Sequence, residues 1–224
     1  MASSQAPVIA IDGPSASGKG TIAQRVASAL GFRYLESGAL YRVLGLISMN
    51  ENSLDRDGLA RAAVRLQIEF RGEQVFMENH DVTDAIRGES CGNRASEIAR
   101  MPEVRRALLQ RQRAFRQPPG LVADGRDMGT VVFPDAELKV FLTANPQVRA
   151  ERRYKQLIDK GIHANLRALS RDLEERDARD ATRVVAPLVP APDSQVLDSS
   201  ALSIDEVVDR ILGWSRERNL GGRA

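Results

Sequence analysis

Val8-Ile9-Ala10-Ile11-Asp12-Gly13-Pro14-Ser15-Ala16-Ser17-Gly18-Lys19-Gly20-Thr21 decides the fold. Val8–Asp12 is a short apolar run broken by Gly13-Pro14, as a buried parallel strand would be. Beyond the glycines, Ile22, Val26, Ala29 and Leu30 recur at helical spacing within Thr21–Leu30, and the pattern stops before Gly31. Between strand and helix, Gly13 to Lys19 fits G-x-x-x-x-G-K. Glycines let successive backbone N–H groups curl round phosphate oxygens, and the helix start adds partial positive charge. Lys19 supplies a point charge for the β and γ phosphates. Gly20 stands where the motif ordinarily carries the Ser or Thr that meets Mg²⁺, and Thr21 comes one position later, so no metal ligand is assigned.

Outward from this stretch, Phe32–Leu35, Leu121–Ala123, Leu138–Thr143 and Gln195–Leu197 are further short apolar runs that read as strands. Each ends in polar or glycine-rich residues, where an open α/β sheet of parallel strands places its ligands. The interval of about residues 37 to 118 is too long for one crossover helix. Within it, Leu66–Phe70 and Val75–Met77 flank Arg71-Gly72-Glu73-Gln74 as a hairpin would, and helical stretches follow, ending in the Arg-rich run Val104–Arg116. A second polar insertion, Arg149 to about Arg183, is dense in Arg and Asp and breaks at Gly161. The expected division is a core of 1–36, 118–150 and 184–224, an insertion at 37–117, and a second at 151–183. There is no internal repeat or low-complexity tract, and Asn219–Ala224 is expected to be a frayed tail.

Composition excludes several classes. The 224 residues carry 32 basic and 30 acidic side chains, for a net charge of +2. A dedicated nucleic-acid binder shows a stronger basic imbalance. The basic set is nonetheless lopsided, with 28 Arg against 4 Lys, which suits either anionic ligands or Arg-rich codon usage. Apolar residues at 42% and charged residues at 28% are ordinary for a folded globular chain. The single cysteine, Cys91, excludes an internal disulfide framework and a multi-Cys zinc site. No apolar stretch approaches a membrane span, and Met1–Pro7 lacks the basic start of a signal peptide, so a cytoplasmic location is expected.

The variant G-x-x-x-x-G-K-G-T resembles the nucleoside monophosphate kinases. Glu36-Ser37-Gly38-Ala39-Leu40-Tyr41-Arg42, Ala123-Asp124-Gly125-Arg126-Asp127-Met128-Gly129-Thr130 and Glu175-Arg176-Asp177-Ala178-Arg179-Asp180 through Arg183 narrow the resemblance to the bacterial cytidylate kinase family. So does the ordered string Ser96, Pro102, Val104-Arg105, Gln112-Arg113, and the likeness runs from about Val8 to Leu212. Glu36 departs from the family's Asp. The resemblance implies phosphoryl transfer from ATP to CMP or dCMP with Mg²⁺, by a cytoplasmic monomer without nucleic-acid or membrane partners. It implies a P-loop NTPase-type sheet of five parallel strands flanked by helices, a monophosphate-binding insertion with a small β hairpin at 37–117, and a helical lid and acceptor-contacting region at 151–183.

Carried over by position, Gly13, Pro14, Ser15, Ala16, Ser17, Gly18, Lys19, Gly20 and Thr21 would hold ATP. Ser96, Arg105 and Asp127 would read the cytosine edge, with Ser37 beside the base. Arg42 and Arg126 would grip the acceptor phosphate, with Arg183 near phosphate or base, and Arg176 and Asp180 would meet the sugar hydroxyls. Lys19, Arg126 and Arg183 would be the catalytic set, and Arg149, Arg152 and Arg153 the lid's candidates. The chemistry is self-consistent. Cytosine presents an amino donor and a ring-nitrogen acceptor, which a carboxylate and a guanidinium complement. A phosphate acceptor needs no general base, which suits a chain with only His80 and His163, both expected at the surface. Cys91 is expected to be an idle thiol and Trp214 a packing residue. Arg106, Arg111, Arg113 and Arg116 spread round a helix and are expected to be mostly solvated, with Arg105 facing the site. Two rival functions remain at this stage: a P-loop kinase for uridylate, adenylate or a small hydroxylated metabolite, and a nucleotide-binding switch. The guanine-reading N-K-x-D string is absent, which weighs against the switch.

Overall fold

The computed structural model describes residues 5–51, 54–72, 74–159 and 161–221. Met1–Ser4 of the leader expectation, Glu73 of the hairpin turn and 222–224 of the expected tail lie outside them. Strand β1 (Val8–Asp12) is the centre of a five-stranded sheet ordered β2 (Arg33–Glu36), β6 (Leu121–Gly125), β1, β7 (Leu138–Thr143) and β8 (Gln195–Asp198), with every pairing parallel. All residues of β1 and β6 are buried, which is why these strands read as continuous apolar runs and not as alternation. Val8 and Ala10 face one core, with Leu40 and Leu44 of α2 (Ser37–Asn50) and Val104 and Leu108 of α6 (Pro102–Ala114). Ile9 and Ile11 face the other, with Ile22 and Val26 of α1 (Lys19–Leu30) and Val207 and Ile211 of α9 (Ile204–Glu217). Each fully buried Val, Leu or Ile contributes about 1.5–3 kcal/mol. The register pairs Asp12 with Gly125 and Glu36 with Asp124, so β1, β2 and β6 deliver their polar ends to one edge.

Residues 37–117 also hold α3 (Arg56–Arg65), α4 (Thr83–Arg87), α5 (Glu89–Ile98) and an antiparallel sheet of β3 (Ile68–Arg71), β4 (Gln74–Met77) and β5 (His80–Asp81). The hairpin is present one or two residues from its expected start. The two-residue β5 is too short to leave a sequence pattern. Since α2 and α6 cover one face of the main sheet, this segment shares its core with the strands. After β6 the chain makes a π-helical turn (Met128–Val132), then β7 leads to α7 (Pro146–Asp159) and α8 (Leu166–Ala181).

One expectation is refined and one corrected. Arg106 and Arg113 are exposed and Arg111 and Arg116 half-buried, so this set is largely solvated as expected, but Arg113 also donates to the Val132 and Val131 carbonyls at 3.0 and 3.2 Å, and Arg116, just past α6, to the Ala6 carbonyl and Asp135, each at 2.6 Å. A helix laid on the sheet places these long donors over carbonyls that the π-helical turn and the chain entry leave free. The tail is anchored at Leu220, which packs into the α1–α9 core and donates its N–H to the Ser215 carbonyl at 2.9 Å. Trp214 packs against the same core. His80 and His163 are exposed. No helix among the described residues is long and apolar enough to cross a membrane.

Candidate active site

A cleft of about 1280 Å³ opens over the carboxyl edge of the sheet, lined by the Ser15–Thr21 loop, the β2 and β6 ends, the small sheet, and α7 and α8. This volume exceeds the usual range for one small ligand and leaves room for two nucleotides. Lys19 is buried at the start of α1, its Nζ donating to the Pro14 carbonyl at 2.9 Å, so the ammonium curls back over the loop. The Ser17 hydroxyl is buried without a partner. Gly20 has a local reason: a Cβ there would stand 3.3 Å from Asp124 Oδ2 and 3.7 Å from the Tyr34 hydroxyl. The space that a Ser or Thr side chain occupies elsewhere is taken by Asp124, to which Tyr34 donates at 3.4 Å.

Arg126 joins the two halves of the cleft. Its Nη2 donates to the Ser15 hydroxyl at 2.9 Å and its Nε to Asp180 of α8 at 2.8 Å, and Asp180 also pairs with Arg183. Behind it, Arg105 of α6 pairs with Asp127 and donates Nη1 to the Ala99 carbonyl at 3.3 Å. Arg105, Asp127, Asp180 and Arg183 are all buried. Ser96 lies one turn before Ala99, and its hydroxyl, like the Nε of Arg183, is buried without a partner. Such orphaned polar atoms are rare in folded chains and mark where a ligand or water belongs. Ser37 accepts from Gln112 Nε2 at 3.4 Å, and like Ser96, Arg105, Asp127, Asp180 and Arg183 it lies behind the residues that line the open cleft.

On the opposite side, Arg42 of α2 donates to the Ile86 carbonyl at 2.7 Å and Arg176 of α8 to Glu89 Oε2 at 2.7 Å. Burial and their mutual repulsion lower the pKa of Arg42, and burial that of Arg176, so an incoming anion relieves both. The three lid candidates separate. Arg153 lines the cleft. Arg149 ties α7 to the loop, donating to the Ser15 carbonyl at 3.0 Å and pairing with Asp177 at 2.6 Å. Arg152 points away, to the Ser199 carbonyl at 2.6 Å beyond β8. Cys91 is buried with its thiol donating to the Arg42 carbonyl at 3.1 Å, and burial raises its pKa, as suits an inert thiol.

Four further residues belong to the site without having been singled out by the sequence: Asp12, Tyr34, Glu89 and Asp124. Asp12 accepts the N–H groups of Met128 and Gly129, each at 2.8 Å, and so fastens the π-helical turn that follows Asp127. Burial pushes its pKa up to about 6 against those two hydrogen bonds. Burial likewise pushes Asp124 up, helped by the charge of Glu36, and pushes Lys19 down, helped by Arg126. An acid whose folded-state pKa lies above its unfolded value costs stability above that pKa, and the cost fades as pH falls toward the unfolded value. Wild type is therefore expected to gain about 2 kcal/mol relative to Asp12→Asn between about pH 7 and about pH 4, as paired denaturation curves would measure.

The donor set fits Mg²⁺ loosely held. Asp124 and Glu36 line the same end of the cleft and repel each other, and a divalent cation between carboxylate and phosphate relieves that repulsion. No group of three or more His, Cys, Asp or Glu side chains converges among the described residues, so phosphate and water would complete its shell, as Mg²⁺ prefers.

The family model described as Cytidylate kinase matches residues 9–217. The chain is 58% identical to a cytidylate kinase of Ralstonia nicotianae over 94% of this chain and 93% of that protein. It is 59% identical to one of Bordetella bronchiseptica over 94% and 96%. A solved structure of an uncharacterized protein from Eubacterium ventriosum matches at TM-score 0.50 and 13% identity, covering 94% of this chain and 98% of that one, a likeness of fold alone. With a glycine-rich loop after β1, helices and a small sheet inserted between β2 and β6, and a family match spanning both, the chain belongs to the cytidylate kinase family.

Proposed function

We propose that this chain transfers the γ-phosphoryl group of ATP to CMP or dCMP, giving ADP and CDP or dCDP. The observation that carries the cytosine assignment is the buried Arg105–Asp127 pair beside the partnerless Ser96 hydroxyl. Asp127 accepts from the cytosine amino group and Arg105 donates to the ring nitrogen or carbonyl. Arg42 and Arg126 hold the acceptor phosphate, Arg183 lies near phosphate or base, Arg176 and Asp180 meet the sugar, and Ser37 closes the pocket at the base. Gly13 to Thr21 hold ATP, and Lys19, Arg126 and Arg183 offset charge on the transferring group. Arg126 suits that role because it already spans the loop at Ser15 and the acceptor side at Asp180.

The acceptor is a phosphate monoester with a second pKa near about 6, so it arrives as a dianion and needs no base. The work of the protein is to align two anions and keep water away, with Arg153 of α7 the one of the three lid arginines that lines the cleft. Asp124 and Glu36 would hold Mg²⁺, which would supply charge neutralisation for the phosphoryl transfer. We take the enzyme to act as a cytoplasmic monomer.

The test is a coupled ADP-release assay over CMP, dCMP, UMP, AMP and shikimate. CMP and dCMP are expected to be the preferred acceptors. Equal turnover of UMP and CMP would sink the base assignment, and release of ADP independent of any acceptor would sink the kinase reading.

A further inference from the structure

Glu89 opens α5 and stands where three segments of the chain meet. One carboxylate oxygen accepts from Arg153 Nε of α7 at 2.8 Å, and the other from Arg176 Nη2 of α8 at 2.7 Å. Arg176 Nη2 also reaches the Glu89 carbonyl at 3.0 Å, and its Nε donates to Asn93 Oδ1, one turn further along α5, at 2.9 Å. Arg153 reaches the Arg87 carbonyl at 3.1 Å, just before α5. Arg42 approaches from α2 across Gly92. A Cβ on Gly92 would lie 2.9 Å from Arg176 Nη2 and 3.1 Å from Arg42 Nη1, so the missing side chain is what lets the two guanidinium groups close on the helix.

A carboxylate in a cleft built for two polyanions needs an explanation. It is outnumbered by arginines: burial acts to raise the pKa of Glu89, but Arg176, Arg153 and Arg42 together hold it below the usual carboxylate range. The cluster therefore keeps positive charge for a phosphate even with Glu89 ionised. What Glu89 adds is geometry. Arg176 and Arg153 sit on different helices, and the Glu89 carboxylate is bonded to both.

We propose that Glu89 is a positioning residue that couples the acceptor site to the lid: its two carboxylate oxygens fix Arg176 and Arg153 relative to each other, so that α7 and α8 are registered against α5. Its meaning for turnover rests on the function proposed above, whereas the coupling itself is physical and is tested without nucleotide. Free of Glu89, each arginine samples other rotamers, and the acceptor must then order both.

The experiment compares wild type, Glu89→Gln, Arg153→Met, the double variant and Glu89→Asp. Amide hydrogen exchange across residues 146–181 of the nucleotide-free protein is one readout, and the KM for CMP against kcat is the other. Glu89→Gln is expected to speed exchange in α7 and α8 about tenfold. It should also raise the KM for CMP about tenfold while kcat stays within about threefold. Arg153→Met should speed α7 exchange similarly, and the double variant should exchange no faster than Glu89→Gln in either helix. Glu89→Asp keeps the charge but is one methylene too short to span both partners, so it should behave like Glu89→Gln. Wild-type-like Glu89→Asp, additive exchange effects, or unchanged exchange would each overturn the coupling. If a variant's thermal melt shows that it is unfolded, Arg153→Lys, which restores a cation without the fork, replaces it and is expected to speed α7 exchange. Absence of CMP-dependent ADP release in wild type would instead fault the proposed function, and the exchange readout would still decide the coupling.

Discussion

Replacing Lys19 by methionine is expected to lower kcat by about 10³-fold, or about 4 kcal/mol of transition-state stabilisation, while leaving CMP binding nearly intact. The prediction follows from where the ammonium lies. It is buried at the first residue of α1 and held by the Pro14 carbonyl at 2.9 Å. Burial already lowers its pKa, so bound phosphate, by favouring the charged form, gains an interaction worth more than in water. Methionine keeps the unbranched stem and its packing but removes the charge that grows in importance as the γ-phosphoryl group departs. A second consequence has a definite sign. Lys19 is an opposite charge that lowers the pKa of Asp124, so its removal lets burial raise that carboxyl further. Residual activity should then rise at higher pH than in wild type. Single-turnover rates with a pH profile would measure both effects, and a loss smaller than about tenfold would refute the role of Lys19.

The five strands and the glycine-rich loop were legible because each depends on a contiguous run. VIAID must be buried on both faces, GPSASGKGT must be a tight loop before a helix, and ADGRDMGT packs Arg126 and Asp127 against the end of a strand. The residues that escaped act through long-range contacts. Asp12 bonds the turn 116 and 117 positions away, and Glu89 bonds arginines 64 and 87 positions away. Nothing local distinguishes Glu89 from a surface glutamate at a helix start. The carbonyl contacts of Arg113 and Arg116 escaped for a related reason: helical spacing tells which face a residue is on, but not that a carbonyl lies opposite it. Beyond anionic ligands and codon usage, the Arg excess thus has a further use, binding the chain's own carbonyls.

Asp127→Asn is expected to cut the preference for CMP over UMP by about 100-fold. Asp127 is buried against Arg105, with burial raising its pKa and the Arg105 charge opposing that rise. Ionised, it offers only acceptors, which suits the cytosine amino group and repels the uracil carbonyl in the same position. An asparagine offers either an acceptor or an NH₂ donor at almost the same volume, so turning the amide lets uracil in. The variant also leaves Arg105 buried without its counter-charge, a change that costs about 3–5 kcal/mol in comparable buried pairs, so some folded enzyme will be lost. The ratio of kcat/KM for the two acceptors is blind to that loss, because both are measured on the same folded fraction. Arg105→Met should weaken CMP use far more than ATP binding for the complementary reason, since it removes the donor to the ring. An unchanged CMP/UMP ratio in Asp127→Asn, with the variant still folded and active, would mean that the buried pair is a structural staple between α6 and the turn after β6, and that the base is read elsewhere.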